Sequence, residues 1–190
     1  MRLILLGGPG SGKGTQLRNL SQHLQLAGIS VGDVLRQAIA SQTFLGVKAQ
    51  PYVERGELVP DPLMIQLMRL RFLQPDLGTE HKGWILEGYP RTAFQAEELD
   101  FVLDDFGQFL DSAIYLKIDE TAMRERSLAR SRADDSPEIL NKRISLFHQR
   151  TIPILEYYGR RQKLLILNAE KSVEEVTQEI LQKLELLTKG

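Results

Sequence analysis

The densest run of chemically competent residues in this chain is Gly7-Gly8-Pro9-Gly10-Ser11-Gly12-Lys13-Gly14-Thr15. Small residues at these positions let successive backbone N–H groups converge on phosphate oxygens, and a helix opening behind them adds the positive end of its dipole. Lys13 places a full charge where the β and γ phosphates of a nucleotide would lie. Gly14 follows the lysine where the general pattern has Ser or Thr, and the hydroxyl arrives one residue later, at Thr15. The run argues for phosphate binding and is silent about the reaction.

Further segments bear on the reaction. Glu87-Gly88-Tyr89-Pro90-Arg91-Thr92 follows an apolar run that reads as a strand, and ligands bind at the carboxyl ends of strands in open parallel sheets. A carboxylate at Glu87 can reach the waters of a magnesium ion on nucleotide phosphates, and the planar fork of Arg91 suits a second phosphate. Arg36, in Asp33-Val34-Leu35-Arg36, sits on the first turns of an expected helix; taken alone it reads more readily as a solvated charge than as a ligand contact. Arg126, Arg130, Arg132 and Arg143 surround one loop, with Asp134 and Asp135 beside them. Such a set repels itself unless carboxylates or a bound anion balance it, so a salt-bridged surface and an anion site both fit. Gln95, one turn past Arg91, carries an amide able to read the edge of a base. His23, His81 and His148 lack metal-ligand spacing.

These residues need a scaffold, and the pattern of apolar runs supplies one. Leu3–Leu6 reads as a buried strand, followed by a helix from Lys13 to about Ala27. Ile29–Val31 reads as a second strand, with a helix through Ala40 and another over 44–55 that Pro51 should bend or break. Asp61-Pro62 reads as a helix start, with Asp61 as N-cap and Leu63, Leu67 and Leu70 on one face. Trp84–Leu86, Ala113–Ile118 and Leu164–Leu167 are the remaining strands. A helix runs from about Thr92 to Asp104, and a long one carries Leu140, Ile144, Phe147, Ile154 and Tyr158 along one stripe. The last helix opens with Ser172 and Glu175, a capping box, and should bury Val173, Val176, Ile180, Leu184 and Leu187. Strands alternating with helices predict an α/β fold, a five-stranded parallel sheet with helices on both faces.

Composition narrows the partners. The 190 residues are 42% hydrophobic, enough for a real core, and fit one domain with small insertions. The net charge of −1 gives no bulk attraction to nucleic acid or anionic membrane. There is no cysteine, which excludes disulfides and thiolate zinc sites. The N-terminal apolar run meets glycines too soon for a signal peptide or a membrane span, so a cytoplasmic location is expected. With no heptad seam or large spare apolar face, a monomer is expected.

Over nearly its whole length the chain resembles the short-lid adenylate kinases of the nucleoside monophosphate kinase family. The resemblance is carried by GGPGSGKGTQ at 7–16, GDVLR at 32–36, GELVPD at 56–61, GWILEGYPRTAFQA at 83–96 and ARSRADD at 129–135. KR at 142–143 and TIPILEYY at 151–158 complete it. It implies a P-loop kinase domain with a monophosphate-binding segment at 30–59 and a lid at 125–137, converting MgATP and AMP into two ADP. By the same resemblance Gly8, Pro9, Gly10, Ser11, Gly12, Lys13, Gly14 and Thr15 hold the ATP phosphates, and Arg126 covers the ATP adenine. Arg130, Arg132 and Arg143 neutralise the transferring phosphoryl, with Asp134 and Asp135 holding the lid network. Arg36 and Arg91 hold the AMP phosphate, Gln95 meets its adenine, and Val31, Gly56, Leu58, Val59 and Gly88 line its pocket. Mg2+ accompanies ATP, with Glu87 reaching it through water.

Three residues depart from the family pattern: Val31 replaces a threonine near the AMP base, Glu87 an aspartate, and Tyr89 a phenylalanine. Val31 keeps a UMP/CMP kinase as the alternative within the class, against which Gln95 and Thr92 argue. A nucleotide-binding switch is the alternative from another class; it would need only one nucleotide site.

Overall fold

The computed structural model describes residues 1–74, 77, 83–129 and 136–188. Arg130, Arg132, Asp134, Asp135 and His81 lie outside the described residues, as does the side chain of Leu187. Five strands, β1 (Arg2–Leu6), β2 (Ala27–Ser30), β3 (Trp84–Glu87), β4 (Ser112–Lys117) and β5 (Leu164–Asn168), form one parallel sheet in the order β2-β3-β1-β4-β5. Consecutive residues Leu3, Ile4, Leu5 and Leu6 are all buried, which requires cover on both faces of the sheet. Helices α1 (Lys13–Leu24) and α9 (Val173–Thr188) touch each other, while α5 (Ala93–Asp105) packs with α4 (Asp61–Phe72) and α8 (Ile152–Arg160). Helices α2 (Val31–Ala40), α3 (Phe44–Glu54), α6 (Glu120–Ala129) and α7 (Pro137–Leu146) complete the set. No described helix is long and apolar enough to cross a membrane.

Several boundaries differ from the sequence expectation, each for a local reason. Helix α1 stops at Leu24 because Gln25 turns left-handed (φ 54°) and its N–H bonds back to Ser21. The buried pair Leu26-Ala27 then leads into β2, which starts earlier than the run Ile29–Val31 suggests. Val31 leaves the strand because Ser30 caps α2, its hydroxyl accepting the Asp33 N–H at 3.4 Å. Helix α3 runs through Pro51 as one element.

Helix α4 is capped by Pro60, not Asp61, and Asp61 is its first residue. The Asp61 carboxylate instead accepts from Gln95 Nε2 at 2.7 Å and from Thr92 Oγ1 at 3.4 Å. The buried face of α4 is Met64, Leu67 and Met68, while Leu70 is exposed. The long stripe from 140 to 158 is α7 and α8 joined by a π-helical turn, Phe147–Thr151. Pro153 has no N–H to give and its ring crowds the carbonyl four residues back, so one wider turn absorbs it. Leu140, Ile144, Phe147, Ile154 and Tyr158 nevertheless all reach the core. The capping box at α9 forms as expected, with Ser172 and Glu175 bonded reciprocally, but Val173 faces outward.

Candidate active site

The strand order itself creates the site. From β1 the chain crosses to the β2 side of the sheet, whereas from β3 it crosses to the β4 side. The loops leaving β1 and β3 therefore diverge, and they open a crevice at the carboxyl ends of two adjacent strands. Residues 7–12 occupy one lip and Gly88–Thr92 the other.

On the first lip, β1 ends at Leu6 and α1 begins at Lys13, so the glycine-rich run is the whole connection. Gly12 caps α1 in a left-handed conformation (φ 86°), and no side chain caps the helix. Gly10 is also left-handed (φ 73°), and a Cβ there would lie 2.8 Å from the Met123 carbonyl oxygen of α6. The loop thus bends tightly beneath α6 with its backbone as its working surface. Lys13 Nζ lies over it, donating to the Gly7 and Gly8 carbonyls at 2.8 Å each and to Ser11 Oγ at 3.4 Å.

The second lip starts at Glu87, which pairs in register with Leu5 of β1 and Ser30 of β2. The Glu87 carboxylate accepts from Ser30 Oγ at 2.8 Å. After Gly88 comes a cis Tyr89–Pro90 bond, then Arg91, whose Nε donates to the Gly88 carbonyl at 2.8 Å. The Arg91 backbone is held twice more: its N–H donates to Gln95 Oε1 at 2.8 Å, and its carbonyl accepts from Thr151 Oγ1 at 3.1 Å. Thr92 caps α5, accepting the Gln95 N–H at 3.1 Å. The protein packed around Arg91 lowers its pKa from the usual value, Arg143 adds to this, and Glu87 opposes it. The guanidinium nonetheless stays charged, since arginine is not deprotonated in proteins.

Between the lips lies one cleft in two joined compartments. One is lined by Pro9, Lys13 and Glu87 among others; the other includes Val31, Val59 and Gln95. Gly56, Leu58 and Gly88 border both, and so do Arg36, Arg91 and Arg143. Three arginines therefore line the junction. Arg36 also contacts Asp33. Arg143 lines the cleft with Arg36 and Arg91, whereas Arg126 lines neither compartment and packs beside Gly10. There Arg126 donates to the Ala169 carbonyl at 2.7 Å and the Glu170 carbonyl at 3.1 Å, tying α6 to the loop after β5.

Sequence reasoning missed part of this wall. Leu35, Val53, Met64, Leu146, Phe147 and Thr151 border the cleft, and no local signal marks them. Glu57 was also missed. It bonds Lys142 at 2.8 Å and Arg55 at 3.0 Å, bridging the segment before α4 to α7. These two cations, Arg55 foremost, hold its pKa down to about 2. Ser30 could have been found, since parallel register sets it beside Glu87.

Among the described residues no group of three or more His, Cys, Asp or Glu could hold a metal ion. Glu87 is a single carboxylate beside the phosphate loop. A hard cation there would take most of its oxygens from nucleotide phosphates and water, which is how magnesium is usually held at such sites.

Comparison with known proteins agrees with this geometry. The adenylate kinase family matches over residues 5–163. The chain is 61% identical to adenylate kinase 2 of Synechocystis sp., a match covering 97% of this chain and 100% of that protein. It is 56% identical to adenylate kinase 2 of Nostoc sp., over 99% of this chain and 100% of that one. It is 39% identical to an adenylate kinase of Stenotrophomonas maltophilia, over 95% and 97% respectively. A phosphate loop facing an arginine-lined second compartment, on a sheet of this order, belongs with that match along the sequence: the chain is a member of the adenylate kinase family.

Proposed function

We propose that this chain catalyses reversible phosphoryl transfer from MgATP to AMP, giving two ADP. One observation carries the reading: the cleft joins the phosphate loop to a second compartment through three shared arginines. A switch that binds one nucleotide has no use for the second compartment. Lys13 and the amides of Gly8 through Thr15 hold the donor phosphates, and Arg126 covers the donor base beside Ala169 and Glu170. Arg36 and Arg91 hold the acceptor phosphate, and Gln95, Val31, Val59, Leu58, Gly56 and Gly88 receive its nucleoside. An oxygen of the AMP phosphate attacks the γ phosphorus as the bond to the ADP leaving oxygen breaks. The residues' task is alignment and neutralisation of spread negative charge, so arginines suffice and no nucleophile is needed. Arg143, with Arg130 and Arg132, supplies that neutralisation, and Asp134 and Asp135 hold the lid arginines. Magnesium on the ATP phosphates, reached by Glu87 through water, supplies further charge neutralisation when bound.

Water in this cleft would divert the phosphoryl group to hydrolysis. Segments 30–59 and 125–137 close over the two substrates to exclude it. The working form is a cytoplasmic monomer whose partners are ATP and AMP, not nucleic acid or membrane; the net charge of −1 supports the last part.

The reading is tested by following ADP formation from MgATP with AMP, UMP, CMP and GMP as acceptors. AMP-selective turnover is the expected result. Preference for UMP or CMP would move the assignment to a UMP/CMP kinase, the alternative that the apolar Val31 favours. Intact ATP binding without transfer would leave a binding role only.

A further inference from the structure

The Gln95 side chain is almost fully buried in the wall of the acceptor compartment, near Val31 and Val59. Its amide is held at both ends. Oε1 accepts the Arg91 N–H at 2.8 Å, and Nε2 donates to Asp61 Oδ1 at 2.7 Å. Turning the amide over would set its oxygen against the Asp61 carboxylate and its hydrogens against the Arg91 N–H. Both new contacts would be between like groups, so the network admits one orientation. In that orientation one Nε2 hydrogen remains, and it is a donor.

We infer that Asp61 is a positioning residue that fixes the orientation of the Gln95 amide and so selects a purine with an acceptor, not an N–H, at ring position N1. The inference rests on the AMP reading above. Adenine offers a bare N1 beside its amino group. Hypoxanthine, the base of IMP, carries a hydrogen on N1 and an oxygen at C6, the opposite pattern. A fixed donor on Gln95 matches the first and clashes with the second. Asp61 does not border the cleft. It acts across 34 residues of sequence, from the first position of α4, and also accepts from the Thr92 hydroxyl that caps α5. Without it, Gln95 keeps only the Arg91 N–H, and its amide can rotate to offer oxygen to the ligand.

The test is calorimetric titration of AMP and IMP against the wild type, Asp61→Ala and Asp61→Asn, with the KM for MgATP as a control. Asp61→Ala is expected to cut the IMP/AMP ratio of Kd values by about tenfold, the worth of one discriminating hydrogen bond. Asp61→Asn keeps a carbonyl oxygen in place and is expected to hold the ratio within about threefold of wild type. The KM for MgATP should stay put in both variants. Should Asp61→Ala fail to fold, Asp61→Leu, which has a similar shape and no acceptor, is judged by the same criteria. An unchanged ratio, or AMP and IMP weakening in parallel, would overturn the inference and leave Asp61 a structural link. A wild type with no preference for AMP over UMP and CMP would instead remove the acceptor reading, and the inference with it.

Discussion

The two lips of the cleft are built on opposite plans. The glycine-rich loop is one unbroken segment, residues 7–15, whose side chains are small apart from Pro9 and a single lysine. The facing wall is gathered from α2, the α3–α4 connection, the β3–α5 turn with α5, and α7, and is lined largely by side chains. Phosphate is the same anion in every nucleotide, so a local backbone cradle suffices to bind it. A base differs from other bases only at its edge, and reading an edge takes oriented side-chain groups drawn from several elements.

That contrast can be broken from either side. The largest effect is expected from Lys13→Ala, which should lower kcat/KM on the order of a thousandfold with any acceptor, because it removes charge facing the transferring group. Steady-state kinetics across acceptors checks this, and a loss confined to one acceptor would contradict a purely donor-side role. Next comes Gly10→Ala, whose new Cβ meets the Met123 carbonyl at 2.8 Å and whose backbone must hold φ 73°. We expect a cost of about 2 kcal/mol and a thermal midpoint lower by about 5 °C, read by calorimetry.

A smaller effect is expected on the acceptor side. Val31→Thr returns a hydroxyl to a buried position in the compartment wall and should tighten AMP about threefold without touching ATP, measured by titration of each nucleotide. The smallest effect is expected at Glu57. Its folded pKa, about 2, lies below its ordinary value of 4.5, so its contribution to stability is complete above about 4.5 and lost as pH falls toward 2. Denaturant titrations of Glu57→Gln over that range should lack this part of the pH dependence. The pair is solvent-accessible, so the difference should be slight and should shrink further with salt.

Legibility in the sequence follows the same division. The phosphate loop is readable whole because strand, glycines, lysine and helix are contiguous. All five strands are readable too: β1, β3 and β4 as buried apolar runs, and the edge strands β2 and β5 as shorter or partly exposed ones. Misreadings occur where a distant partner outweighs a local preference. Asp61-Pro62 has the local signature of a helix cap, yet the Asp61 carboxylate is drawn to Gln95, and Pro60 takes the cap. Ile29-Ser30-Val31 reads as a strand with β-branched residues at both ends, yet Ser30 caps the helix behind it and Val31 joins that helix. Thr92 and Gln95 do carry a local signal, the spacing of a capping box. Its outcome here is a variant in which the Gln95 side chain reaches the Arg91 N–H. The bridge from Glu57 to Lys142 spans 85 residues and leaves no local trace.

The central claim is that two nucleotides occupy two separately built halves of one cleft. It is tested most directly by titrating ATP and AMP, each alone, into the wild type and Arg91→Ala. Arg91 is anchored on the acceptor lip by Gly88, Gln95 and Thr151. AMP binding should weaken by about a hundredfold, the scale of a lost charge-assisted contact to phosphate, with ATP affinity unchanged. Equal weakening of both nucleotides, or of ATP alone, would contradict it.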